Sequence, residues 1–74
     1  MDGYVFSEEI QVINNGTKQI KAYLEPWGKH VVLEPKEVVR IRFGDLGGQF
    51  LKVAYYDEGI AVFFPTGVSA EFFD

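Results

Sequence analysis

Residues 38–43 read VVRIRF and follow LEPKE at 33–37. Successive side chains of an extended strand point to opposite faces, so Val39, Ile41 and Phe43 share one side and Val38, Arg40 and Arg42 the other. A helical period of 3.6 would mix the two arginines into the apolar set. Residues 20–25, IKAYLE, repeat the pattern, with Ile20, Ala22 and Leu24 opposed to Lys21, Tyr23 and Glu25. Two half-buried strands therefore set the fold class.

Working outward, turn signals punctuate the rest of the chain: NNGTK (14–18), PWGK (26–29), PKE (35–37), GDLGG (44–48), DEG (57–59) and PTG (65–67). The runs between them favour β-branched and aromatic residues, which predicts seven strands over 4–13, 19–25, 30–34, 37–43, 49–57, 60–64 and 68–73. Ser7-Glu8-Glu9-Ile10 gives a faint helix start, but the valines and isoleucines around it favour strand. Glu8 interrupts the otherwise apolar face of Tyr4, Phe6, Ile10 and Val12, which predicts a bulge near residues 7–9. Asn15-Gly16 predicts a type I′ turn that pairs strand 4–13 with strand 19–25. The expected fold is all-β, a single domain over residues 1–74: a small antiparallel β-sandwich of about seven short strands or a small β-barrel.

A chain of 74 residues buries only about 60% of the surface it exposes when unfolded. Without cysteine, neither a disulfide framework nor a thiolate metal cage can supplement that core. The aromatic content of 16% offsets the shortfall, because each core position then carries a large side chain. The chain does not open with a basic segment and an apolar run, so no signal peptide is expected. The longest apolar run, IAVFF at 60–64, is too short to cross a bilayer. These features lead to the expectation of a soluble, cytoplasmic protein. Every Lys and Arg lies at or before Lys52, whereas Asp57, Glu58, Glu71 and Asp74 follow it, so the net charge of −4 resides in residues 53–74. Such a balance repels phosphate backbones and argues against nucleic acid and anionic membrane as partners.

Asn14-Asn15-Gly16, Leu24-Glu25-Pro26-Trp27-Gly28 and Leu33-Glu34-Pro35 resemble the N-x-G…LEPWG…L-x-P signature of small, uncharacterised bacterial all-β domains. Leu33-Glu34-Pro35-Lys36-Glu37 is also similar to a strand–turn–strand corner of cupredoxin and immunoglobulin-like sandwiches. The likeness covers about residues 12–43. It implies a sandwich and carries no activity with it.

The residue types exclude several chemistries. A zinc site needs three or four ligands, commonly His or Cys, and a blue-copper site two His and one Cys; this chain has one His, His30, and no Cys. No metal or cofactor is expected. Ser7, Thr17, Thr66 and Ser69 lack a nucleophile elbow. Adjacent carboxylates at Glu8-Glu9 and Asp57-Glu58 diverge on a strand, and Asp57-Glu58-Gly59 reads as a hairpin turn. Gly44-Asp45-Leu46-Gly47-Gly48 lacks the following helix that would hold a phosphate, and reads as a loop. An enzyme is not expected.

Two binding sites remain. Alternation places Leu51, Val53 and Tyr55 inward and Phe50, Lys52, Ala54 and Tyr56 outward. It likewise places Ile60, Val62 and Phe64 inward, and Phe63 and Phe73 outward. Phe50, Tyr56, Phe63 and Phe73, rimmed by Asp57, Glu58 and Glu71, thus form a candidate partner-binding surface. The expected partner is a protein or a second copy of the chain, with the domain acting as adaptor, self-associating module or inhibitor; an immunity-type inhibitor of a basic toxin is one version. The alternative is a small-ligand or carbohydrate-binding module in which Tyr23, Trp27 and His30 form the site. Against that, Pro26-Trp27-Gly28 suits a turn with Gly28 at positive φ, and Trp27 would then cap the end of the core.

Overall fold

The structure, a computed structural model, describes residues 6–73. It is all-β, with seven strands and no helix among the described residues: β1 (Glu8–Ile13), β2 (Ile20–Glu25), β3 (Lys29–Leu33), β4 (Val38–Phe43), β5 (Lys52–Tyr56), β6 (Gly59–Phe63) and β7 (Ala70–Phe73). They form two open sheets, a three-stranded sheet ordered β1-β4-β7 and a four-stranded sheet ordered β3-β2-β6-β5. The sheets do not close on each other, so the sandwich is realised and the barrel is not. All neighbours are antiparallel except β2 and β6, which run parallel from Lys21↔Gly59 to Glu25↔Phe63.

The core follows the alternation that the sequence shows. Ala22 and Leu24 of β2, Val39, Ile41 and Phe43 of β4, and Val62 of β6 are buried between the sheets, joined by Leu33, Phe64, Val68 and Ala70. Ile10, Val12 and Phe72 close the same core from β1 and β7.

The pairing of the first strand differs from expectation. β1 pairs with β4, from Glu8↔Phe43 to Ile13↔Val38, and β2 lies in the other sheet. Asn15-Gly16 is therefore a crossover between sheets and not a type I′ hairpin, and neither residue has positive φ. The cause is Asn14, whose side chain is almost wholly buried. Its Nδ2 donates to the Lys18 carbonyl at 2.8 Å and to the Leu33 carbonyl at 2.9 Å, while its Oδ1 accepts from the Gly16 N–H at 3.0 Å. One amide thus turns the chain out of the first sheet and fastens it to the end of β3. The same one-to-one register from Glu8 onward leaves no bulge at residues 8–9. Glu8 is exposed at the end of the sandwich, where its parity with Ile10 costs nothing. Tyr4, Val5 and the start of the predicted 4–13 strand lie outside the described residues.

Other strand limits shift for local reasons. Residues 49–51 are not strand: the next β6-side residue whose backbone would turn toward them is Pro65, which has no N–H to give. Val68 donates to the Pro65 carbonyl in a turn with Gly67 at φ 89°, so β7 starts at Ala70. Between β3 and β4, Glu37 N–H donates to the Glu34 carbonyl at 3.0 Å across Pro35-Lys36, with Lys36 at φ 75°. This is type II geometry with lysine where glycine is usual. The Glu37 carboxylate accepts from Glu34 N–H at 2.8 Å, and Lys36 N–H donates to the Asn14 carbonyl at 2.7 Å.

Candidate functional site

The outer face of the four-stranded sheet is built in rows set by the strand register. Tyr56, Gly59, Lys21 and Val32 form one row; Ala54, Ala61, Tyr23 and His30 the next; Lys52, Phe63 and Glu25 the third. Small residues therefore occupy the middle of the sheet, and aromatic side chains stand around them. Tyr23 and Tyr56 wall a shallow depression floored by Ala61 and bounded by Glu25 and Glu58. Gly59 is required beside it, where β6 approaches the β2 backbone. A Cβ at that position would run into the Lys21 carbonyl oxygen and lie 2.8 Å from the Lys21 backbone nitrogen and carbonyl carbon.

The partner-binding residues expected from the sequence divide between the two sheets. Tyr56 and Phe63 lie on this face, with Asp57 and Glu58 in the two-residue loop that joins β5 to β6. Phe50, 83% exposed, precedes β5 and borders a second surface depression with Lys52, Phe63 and Pro65. Phe73 and Glu71 belong to the outer face of the three-stranded sheet, so they do not join this patch. There the Arg42 guanidinium lies 4.4 Å over the Phe73 ring, and Phe6 meets that ring edge-on at 6.0 Å.

The alternative ligand trio divides as well. Tyr23 and His30 are cross-strand neighbours with ring centroids 5.6 Å apart, and they extend the aromatic face. Trp27 sits at the end of the sandwich, its ring 5.9 Å from that of the core residue Phe64. Gly28 at φ 71° shapes this loop, and its N–H donates to the Glu25 carboxylate at 3.0 Å. Trp27 therefore packs as a cap on the core and is separated from the other two.

Sequence reasoning missed the exposure of β5. Val53 and Tyr55 have the inward phase expected of them, since they register with Val62 and Ile60. They are nevertheless 61% and 87% exposed. Four strands face three, and the inner side of the outermost strand has no opposing strand above it. β1 reaches only far enough to line a cleft with Tyr55 and Tyr56 through Val12, Ile13 and Asn14. Local alternation reports phase but not sheet order, so only the strand count hinted at this.

Electrostatics set the opposite face apart. Glu9 is held by Arg42 at 3.1 Å and Arg40 at 3.8 Å. The hydrogen bond from Arg42, aided by Gln11, lowers the Glu9 carboxyl below its ordinary value. Among the described residues no group of His, Cys, Asp or Glu side chains is arranged to hold a metal ion. No helix among them is long and apolar enough to cross a membrane. Comparison with protein-family models, with curated proteins and with solved structures gives no match to this chain.

Proposed function

We propose that this domain is a small protein-binding module, an adaptor or inhibitor working in the cytoplasm, and that it binds through the β5–β6 end of its four-stranded sheet. The observation that carries the reading is the concentration of exposed apolar side chains there. Phe50, Val53, Tyr55, Tyr56 and Phe63 all lie on or beside two adjacent strands. Isolated exposed hydrophobics need no explanation, but a cluster of them is the usual mark of an interaction surface. The shallow depression floored by Ala61 is open to a partner's side chain between Tyr23 and Tyr56. Glu25 and Glu58 around it favour a partner with basic residues at its rim. The separation of Trp27 from Tyr23 and His30 removes the basis for a three-residue ligand site, so the protein-binding reading is preferred. Nothing in it calls for catalysis.

The test is the pair of variants Phe63→Ser and Tyr56→Ser used as bait beside wild type, with captured protein quantified. Tyr56 is 47% and Phe63 36% exposed, so the fold should persist with a loss of about 1–2 kcal/mol. A central interface aromatic contributes about 2 kcal/mol to binding, so capture should fall at least tenfold. Equal capture by wild type and both variants would overturn the proposal.

A further inference from the structure

We propose that the partner seated on this end of the molecule is a second copy of the chain, joined by antiparallel pairing of β5 with β5 about a two-fold axis at Ala54. The inference rests on the binding reading above in placing association at the β5–β6 end; it names the occupant of the open β5 edge and leaves the aromatic face beside it free.

The backbone fixes which groups are open. Lys21 N–H donates to the Glu58 carbonyl and Phe64 N–H to the Glu25 carbonyl, both at 2.9 Å. Backbone groups alternate in direction along a strand, so Gly59, Ala61 and Phe63 turn theirs toward β5. Their register partners Tyr56, Ala54 and Lys52 use theirs on β6. Val53 and Tyr55 therefore aim their N–H and C=O groups at the open edge. β5 is the last strand of its sheet, and an uncovered edge of this kind is a template for another strand.

The side chains along that edge are complementary to themselves. With Ala54 opposite its own copy, Val53 faces the second copy's Tyr55 twice over, and these four residues form the hydrogen-bonded pairs. Aromatic–β-branched pairs are among the favourable cross-strand combinations. Ala54 then falls at a non-hydrogen-bonded pair, where side chains approach most closely and a small one is wanted. On the outer face Lys52 meets the other copy's Tyr56, the residue that enters the Asp57-Glu58 turn, so the one cation of β5 lies toward that acidic turn. The register also keeps both aromatic faces on the same side of a continuous eight-stranded sheet. It places the exposed Val53 and Tyr55 side chains of both copies in one strip between the two β1 edges.

The experiment is sedimentation across a concentration series for wild type and Tyr55→Pro, with mild oxidation of Ala54→Cys. Proline is accepted on an edge strand where the N–H faces solvent, so Tyr55→Pro should fold yet dimerise at least tenfold more weakly. Ala54→Cys should form a disulfide-linked dimer readily, because a close antiparallel pair meets the required Cα separation. If Tyr55→Pro fails to fold, the crosslink decides. A wild type that is monomeric throughout, a dimer unaffected by Tyr55→Pro, or an Ala54→Cys chain that does not crosslink would each overturn the pairing. A monomer that still captures a protein in a Phe63-dependent way overturns self-pairing alone. A β5 dimer whose protein capture ignores Phe63 and Tyr56 retains the pairing and removes the face-binding reading.

Discussion

The two outer faces of this sandwich are made from strands of similar length and have opposite characters. On the three-stranded sheet the register sets Arg42 between Glu9 and Glu71, and Arg40 between Gln11 and Phe73. Arg42 and Arg40 both engage Glu9, and the Phe73 ring lies beneath the Arg42 guanidinium. On the four-stranded sheet the middle positions are Ala54, Gly59 and Ala61, and the aromatics around them have open space between them. A face whose polar groups satisfy each other offers little to a partner. A face with a small-residue floor and exposed rings offers both shape and apolar area.

The most damaging way to break this contrast is Gly59→Ala. The added methyl group cannot coexist with the Lys21 backbone, so β6 must leave β2 and the aromatic face dissolves. The expected loss is about 4 kcal/mol or more, since no side-chain rotation can relieve the overlap. In a domain of this size that loss should abolish the cooperative thermal transition. An unchanged melting curve would show that β2 and β6 do not approach as described.

Asn14→Ala comes next. It removes all three hydrogen bonds of the buried amide and strands the Leu33 carbonyl, for a loss of about 2–4 kcal/mol. Denaturant melts should show this loss with little change in slope.

A matched pair sharpens the comparison between faces. Phe73→Ser should cost about 1–2 kcal/mol, because it deletes the cation–π and edge contacts with Arg42 and Phe6, and it should leave association intact. Phe63→Ser should instead lose association. If both variants lose binding equally, the faces do not differ in the way proposed.

The smallest effect is electrostatic. Glu9 has a folded pKa below its ordinary 4.5, so its pairing stabilises the protein fully above that value. The contribution is lost as pH falls through the lowered folded value. Melts of wild type and Glu9→Gln should therefore differ slightly at neutral pH and converge in acid. A difference that grows toward low pH would contradict the ion-pair assignment.

Much of this was legible in residues 20–25 and 38–43. Their strict alternation fixed both the strands and their buried sides, and Gly28 takes the positive φ that its residue type favours, whereas the positive φ of Lys36 in the Pro35 turn had no such local signal. The partner of β1 was not legible. Asn15-Gly16 has hairpin chemistry, yet the adjacent Asn14 decides the outcome through the carbonyl of Leu33, nineteen residues away. The candidate site was legible only in part. Tyr56 and Phe63 were placed correctly by phase, but Phe73 has the same phase in the other sheet, and one-dimensional alternation cannot distinguish two outer faces. The exposure of Val53 and Tyr55 arises from unequal strand numbers in the two sheets, a property of the assembly and not of any local segment.

The parallel contact between β2 and β6 bears on how the chain reaches this state. β6 is the strand that brings β5 to the sheet holding β2 and β3. Its partner β2 lies some forty positions earlier, a separation for which loop closure is slow to be rewarded. Without residues 59–63, β2 keeps β3 as its one neighbour in the sheet, and a lone two-stranded pair is marginal in water. A ribosome-bound chain that ends before Gly59 should then be protease-sensitive throughout, and folding should proceed in one late, concerted step.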